Sequence, residues 1–305
     1  MVPTRHRPQV LARTLASLLE QNILPAELIV VDASDDTSSR TVVEAFGDRA
    51  AGACAIRYLK AEILGAAAQR NQGVAAATQQ ILWFFDDDIL FEPQCVARLW
   101  SAFQSSPEVG GASAMITNQC YHPPGRASRL VFTLMGGKQT FAGRVLGPAV
   151  NLLPEDREDL PEIVPVEWLN LGCTLYRREA MPRPPFSTHF TGYSMFEDLT
   201  LSLQVAKKWR LVNARTARIF HDTQPGTHKS DAAEMAAMEL VNRHFVMTKI
   251  LGRSGWTDYF KLFIWQSFGL LSCLRNASGW RTLPDQCRGR WRGWRRILAA
   301  PVPRV

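Results

Sequence analysis

Three consecutive acids, Asp86-Asp87-Asp88, follow the apolar run Ile81-Leu82-Trp83-Phe84-Phe85. Carboxylates crowded this closely repel one another unless something positive offsets them. A divalent cation held by carboxylates, and bridging to a diphosphate, meets that need. A second apolar run, Leu28-Ile29-Val30-Val31, delivers Asp32, then Ser34, Asp35, Asp36 and Thr37. Asp35 and Asp36 also suit a turn or a helix cap. Glu197-Asp198 opens a helical pattern, where two acids complement the helix dipole and need no further role. His221 follows the strand-like Ala217 to Phe220 and begins a polar, turn-rich stretch to His228. It reads equally as a structural histidine and as a metal ligand.

In an open parallel α/β sheet, ligands bind in the crevice beyond the carboxyl ends of the strands. The elements expected here fit that layout. Leu28 to Val31 and Ile81 to Phe85 are short continuous apolar runs, as in strands buried on both faces. Cys54 to Leu59 and Val109 to Ile116 are further strands. Helical patterns cover Val10 to Gln21, Ser38 to Phe46, Ala66 to Ala77 and Gln94 to Phe103. Alternation at this pitch indicates βαβ units and a mostly parallel central sheet flanked by helices. Residues 119–165, rich in Gly and Pro, are expected to be an irregular excursion over the surface. A strand at Cys173 to Tyr176 and helices at Asp198 to Lys208, Asp231 to Leu251 and Trp256 to Leu274 follow, the second of these helices starting at a cap on Ser230 or Asp231.

The chain has 305 residues and a formal charge of +7. That charge is local. Residues 275–305 hold eight arginines against one acid, and the remaining 274 residues balance 27 basic with 27 acidic side chains. A neutral body is not a uniformly basic nucleic-acid surface. Six cysteines lack paired spacing and several lie in apolar runs, which fits buried free thiols in a reducing compartment. Met1 to Pro8 is polar and leads into a helical pattern, so no signal peptide is expected. The longest uncharged apolar run, Leu262 to Leu274, has 13 residues, against the roughly 20 that a membrane span requires.

The order Pro3-Thr4-Arg5, Leu28-Ile29-Val30-Val31-Asp32-Ala33-Ser34, Arg70-Asn71-Gln72-Gly73, Phe85-Asp86-Asp87-Asp88 and Glu197-Asp198 resembles family 2 glycosyltransferases of GT-A fold. The resemblance runs from residue 3 to about 228 and implies a catalytic domain over residues 1–228, with C-terminal helices over 229–305. It implies inverting transfer of a sugar from a nucleotide-diphosphate donor, assisted by Mg2+ or Mn2+. By position, Thr4 and Asp32 would contact the nucleoside, and Arg70 would lie beside the base or diphosphate. Asp86 to Asp88 match the family's Asp-X-Asp motif. Asp88 would be the main metal ligand, Asp86 would lie near ribose or metal, and Asp87 belongs to the same donor site. Asp198, beside Glu197, would be the general base. His221 stands where some members supply a metal ligand, and Trp168 to Gly172, with Asn170 between, would shape the acceptor side. The family usually places four or five apolar residues before the Pro-Thr pair, where this chain has Met1-Val2, so either the first strand is shortened or the start is assigned too late.

Two other readings compete. A sugar-phosphate nucleotidyltransferase would want a glycine-rich basic loop near the start, and Pro3 to Pro8 has no glycine. A non-catalytic interaction protein could keep the fold.

Five of nine tryptophans, Trp256, Trp265, Trp280, Trp291 and Trp294, lie in the last fifty residues, interleaved with arginines. Such a tail suits the headgroup layer of an anionic membrane; the alternative is that Trp256 to Leu274 packs on the domain and the basic stretch is a solvated end. The expectation is peripheral attachment to the cytoplasmic side of the plasma membrane and a lipid-linked or saccharide acceptor.

Overall fold

In a computed structural model, residues 1–50, 52–136, 140–223 and 231–299 are described. Two compact units emerge, each taken by itself. The first comprises Met1–Tyr121, Ala142–Arg144 and Leu153–Gln224; the second comprises His122–Phe141, Val145–Leu152 and Pro225–Val305.

The first unit begins with the βα rhythm read from the sequence. Strand β1 (Val2–Thr4) is followed by α1 (Pro8–Leu19), β2 (Glu27–Asp32), α2 (Ser38–Arg49), β3 (Ala55–Lys60), α3 (Ala66–Ala76) and β4 (Ile81–Phe85). Next come β5 (Ile89–Phe91), α4 (Cys95–Gln104) and β6 (Val109–Ile116). Proline at the start of α1 is well placed, because its missing N–H would have no partner in a first turn. Leu11, Leu15 and Leu18 form the buried stripe of α1, spaced by three and four residues.

β1, β2 and β3 pair in parallel, with Thr4 opposite Asp32 and Asp32 opposite Lys60. β6 pairs in parallel with β11 (Arg210–His221), and β10 (Cys173–Arg177) runs antiparallel between β4 and β6. β5 and β9 (Ile163–Val166) flank β11 antiparallel. Met1 links the two groups of strands: its N–H donates to the Trp83 carbonyl at 2.7 Å, and its carbonyl accepts from Phe85 N at 3.2 Å. The core under this framework gathers Leu28, Val30, Phe85, Leu99, Phe103, Val212 and Ile219. Helix α6 (Glu197–Val205) completes the unit.

β11 is longer than the Ala217 to Phe220 run expected. Its first half hides buried polar residues that break the apolar signal: Asn213 donates to the Ser113 and Ala114 carbonyls, and Arg215 to the Pro161 carbonyl. The excursion 119–165 is less irregular than expected. It holds β9 and, in the second unit, α5 (Arg126–Leu134), β7 (Val145–Leu146) and β8 (Val150–Asn151). Flanking Gly and Pro conceal α5, whose Phe132 packs edge-on to Phe141 and against Trp265.

The rest of the second unit is helical: α7 (Ala232–Phe245), running into a π-helical turn at Val246–Ile250, α8 (Trp256–Cys273) and α9 (Ala277–Ala299). Asp231 caps α7, its carboxylate accepting from Glu234 N at 2.9 Å. Glu239 joins two helices and a loop, accepting from Arg243 Nε at 2.6 Å and Gln266 Nε2 at 3.0 Å, while Arg243 also donates to the Ala149 carbonyl. The arginine-rich segment is an ordered helix seated on α7. Gly289 and Gly293 are buried in that seam, and the Arg296 guanidinium takes both Glu234 oxygens at 2.7 and 2.9 Å. Ser230, Gln224 to His228 and residues 300–305 lie outside the described residues.

A Cβ at Gly289 would sit 2.3 Å from the Ala233 carbonyl oxygen and 2.6 Å from the Ala236 methyl. Alanine improves helix propensity by about 1 kcal/mol, but forced separation of packed helices costs about 1–3 kcal/mol. Gly289→Ala is therefore expected to lower stability in a urea titration. Gly47→Ala, in α2 with nothing within 4 Å of its new methyl, is expected to raise it by up to about 1 kcal/mol.

Candidate active site

Three structural ends meet in the first unit: the carboxyl ends of β1 and β2, the turn after β4, and the amino end of α6. Asp32 is fully buried, and both its oxygens are engaged. One accepts from the Ser34 amide at 2.9 Å and from the Ser34 hydroxyl; the other accepts from the Tyr58 hydroxyl at 3.1 Å. Burial and the adjoining Asp32 charge push the Tyr58 phenol up to about 12. Thr4 is also buried. Its hydroxyl donates to Asp87 Oδ2 at 2.6 Å, and its carbonyl accepts from Gln69 Nε2 at 3.0 Å. Gln69 donates to the Val31 carbonyl too, at 2.8 Å, so one side chain of α3 ties both strand ends.

The acids after β4 divide by direction. Asp87 turns inward: its oxygens take Thr4 and Arg7 Nη1 (3.2 Å), and its carbonyl accepts from Thr14 at 2.7 Å. Burial pushes its carboxyl up to about 7, against the pull of Thr4 and Arg7. Asp88 is held by Arg7 Nη1 at 3.2 Å and by His221 Nε2 at 3.0 Å. Asp86, Asp88 and His221 each offer one ligand atom, and these atoms lie within 4.8 Å of one another. Two carboxylates and an imidazole at that spacing suit a divalent cation in their chemistry. Gln119 Nε2 lies 2.7 Å from His221 Nδ1 and Thr223 Oγ1 3.1 Å away, while Asn118 holds the His221 backbone through two hydrogen bonds. A second grouping, His6 with Asp35 and Asp36, is exposed, and Asp36 accepts from Ser38 N at 2.8 Å where α2 begins.

Arg70 is buried, and its guanidinium forks between Glu197 Oε1 and Asp86 Oδ1, the latter at 2.6 Å. It is thereby a junction between α3, the β4 turn and α6, with Phe186 beneath it at 6.0 Å. Glu197 points inward to this junction, and burial pushes its carboxyl up to about 8, with Arg70 opposing. Asp198, one residue on, stays half-buried and accepts from the Leu199 amide at 2.7 Å. Burial pushes it up to about 6, opposed by that hydrogen bond and by Arg70. The approach to α6 is strained: Ser194 (φ 57°) and Phe196 (φ 75°) are both left-handed, at a cost of about 1–3 kcal/mol each. Contacts with α3 maintain it. The Gly192 carbonyl accepts from Ala66 N at 3.3 Å, Ser194 Oγ from Ala67 N at 3.3 Å, and Asn71 exchanges two hydrogen bonds with the Phe186 backbone.

Trp168 is buried, and Asn170 accepts from Gly172 N at 3.2 Å just before β10. The Gly172 carbonyl meets Asp86 N at 3.4 Å, which brings this segment beside the β4 turn. Tyr193 is a neighbour that sequence reasoning passed over. Burial and the charges of Asp86, Asp88 and Asp198 hold its phenol above its usual range. Arg7, Gln69, Tyr58 and Gln119 were also passed over, since no local pattern distinguishes them from ordinary helix, strand or loop residues.

The sequence profile of glycosyl transferase family 2 matches residues 1–153, half of the chain. The chain belongs to glycosyl transferase family 2. Among curated relatives, the validoxylamine A glucosyltransferase of Streptomyces hygroscopicus subsp. limoneus is 34% identical over 125 residues, 39% of this chain. The matches span only 25–30% of the length of such relatives. A mannosyltransferase from Pyrobaculum calidifontis, solved with GDP-Man and Mn2+, aligns with 99% of this chain and 75% of its own at a TM-score of 0.55 and 16% identity. Glucosyl-3-phosphoglycerate synthase from Mycobacterium tuberculosis, solved with phosphoglyceric acid, aligns with 84% of this chain and 80% of its own at 0.51 and 16%. At such identities the likeness is one of fold. It agrees with the α/β framework and helical C-terminal region of this family 2 member.

Removing one partner of a buried ion pair costs about 3–5 kcal/mol, because the other charge stays buried. Arg70→Met is expected to lower stability by that order in guanidinium titration. Without Arg70 nothing opposes the burial that already lifts Glu197 to about 8, so at neutral pH Glu197 takes up a proton, and Arg70→Met/Glu197→Gln is expected to be about as stable as Arg70→Met.

Proposed function

We propose that this chain is an inverting glycosyltransferase using a nucleotide-diphosphate sugar and a divalent cation. The observation that carries the reading is the meeting of the Asp86, Asp88 and His221 donor set with the half-buried Asp198, two carboxylate environments suited to different work. Asp86, Asp88 and His221 would hold Mg2+ or Mn2+, which when bound supplies Lewis-acid stabilisation of a departing diphosphate. Mn2+ in the Pyrobaculum structure supports a divalent ion without choosing between the two.

Asp198 accepts the acceptor hydroxyl's proton as that oxygen attacks the anomeric carbon. Attack comes from the face opposite the diphosphate, whose bond to that carbon breaks. A carboxyl titrating near 6 is ionised at neutral pH and still basic enough to share a proton in the transition state. Glu197 supports this indirectly by fixing Arg70, which fixes Asp86. Thr4 and Asp32 border the nucleoside: Asp32 acts through the Tyr58 and Ser34 hydroxyls it orients, and Thr4 holds Asp87, which braces the turn from within. Trp168, Asn170 and Gly172 line the acceptor side. The acceptor in this reading is lipid-linked or a polysaccharide precursor, met at the cytoplasmic side of the plasma membrane. Its support is the cationic, tryptophan-bearing helical unit.

Three outcomes test the chemistry. Turnover of UDP-, GDP- or dTDP-sugars by the full chain on vesicles should require Mg2+ or Mn2+ and disappear with chelator. Asp198→Asn should lower turnover about 10²–10⁴-fold while donor binding by calorimetry persists. The base must be unprotonated, so the rate should rise with pH, tenfold per unit below about 6, and level off above it. No turnover of any donor would leave a non-catalytic member of the family, and an unchanged Asp198→Asn rate would remove Asp198 as the base.

A further inference from the structure

The described helices of the second unit carry two surfaces that a water-facing domain does not need. Helix α8 is seated by one side alone. Leu262 packs with Leu240 and Met247, Gln266 donates to Glu239, and Gly269 faces Arg290 of α9. These positions repeat every three or four residues and define the inner stripe. The opposite stripe carries Trp256, Phe260, Phe263, Leu271 and Leu274, interrupted by Ser267. Trp256 is 79% exposed, Phe260 56%, Phe263 58% and Leu271 61%. An apolar stripe of this length in water is the mark of an interaction surface.

Charge identifies what covers it. Residues 231–299 hold eleven basic side chains against five acids. Arg243, Arg288 and Arg296 have carboxylate partners. Lys261, at the border of the apolar stripe, and Arg275, just past its end, make no ion pair among the described residues, nor do Arg281, Arg292 and Arg295. An apolar stripe edged by uncompensated cations complements a surface that is oily within and anionic at its rim. We infer that the outer face of α8 is the element that docks on an anionic lipid bilayer, lying in the headgroup plane with Trp256, Phe260 and Phe263 buried in it. The inference rests on the membrane part of the reading above, and moves the contact from the arginine-rich segment as a loose tail to α8. With Gly289 and Gly293 sealed against α7, α9 supplies cations from a fixed position. The inner contacts of α8 stay intact when the helix lies flat. A spanning orientation would break them and bury Asp258 and Lys261.

Co-sedimentation of the full chain with vesicles of phosphatidylcholine, with and without phosphatidylglycerol, tests this. The chain is expected to bind the anionic vesicles and to be released by roughly 0.5 M salt in part only, since screening acts on the cations and not on the apolar stripe. Trp256→Ser/Phe260→Ser/Phe263→Ser should lower partitioning roughly tenfold or more, with an unchanged melting curve because these side chains are exposed. Trp280→Ser/Trp291→Ser on α9 should lower it less. Wild-type binding by the α8 variant, with loss in the α9 variant, would keep membrane docking and overturn its assignment to α8. No binding of the unmodified chain would overturn both. A dimer in sedimentation velocity that the α8 variant dissolves would put a second copy of the chain on this face and overturn the bilayer as its occupant.

Discussion

Five carboxylates, Asp86, Asp87, Asp88, Glu197 and Asp198, share one region of the first unit with the guanidiniums of Arg7 and Arg70. Everything else about the site follows from that imbalance. Desolvation raises the proton affinity of a buried acid, and a neighbouring acid raises it further. Arg7 spans Asp87 and Asp88, and Arg70 spans Asp86 and Glu197, so each cation holds two acids from different positions. Two cations cannot neutralise five acids. Asp198 makes no ion pair among the described residues, and Asp86 and Asp88 lie beside His221, the places to which the proposed chemistry assigns a proton and a metal.

Holding like charges together requires a scaffold that resists their repulsion, and the hydrogen bonds show where that resistance lies. Gln69 binds the ends of β1 and β2, Thr14 binds the carbonyl of Asp87, and Asn71 clamps the backbone at Phe186. Gln69, Arg70 and Asn71 are consecutive on α3, so three successive side chains tie the ends of β1 and β2, the β4 turn and α6, and the backbone at Phe186. The left-handed turns at Ser194 and Phe196 set Glu197 toward Arg70 and leave Asp198 at the surface of the site. Adjacent residues on a helix point about 100° apart. That rotation gives two neighbouring acids different environments and different proton affinities.

The elements that carry strong apolar runs were legible in the sequence. β4 and β6 fall on the residues expected, and α3 differs by a single residue at its end. What escaped was encoded over long distances. The first half of β11 is invisible locally because Asn213 and Arg215 are polar, and their partners at Ser113, Ala114 and Pro161 are fifty to a hundred residues away. The cluster of Asp86, Asp88 and His221 was readable as two motifs, but not the fork of Arg70 onto Glu197, whose sequence separation is 127. Arg70 was expected beside the diphosphate or base. Its guanidinium forks onto two protein carboxylates, Asp86 and Glu197, a pairing with no local signal in the sequence.

The C-terminal arginines illustrate how composition and geometry differ. Counted along the sequence, residues 275–305 form a basic tail. Folded, α9 places Gly289, Gly293 and Ile297 along one edge against α7, and Arg296 closes on Glu234. A backbone approach this close needs glycine, so the helix could not be seated by side-chain burial alone. The consequence is that its remaining cations are fixed in position rather than free to sample a solvated end. A fixed array loses less conformational entropy on meeting a surface than a flexible segment of the same charge. The seam of glycines is thus also a means of holding charge in place.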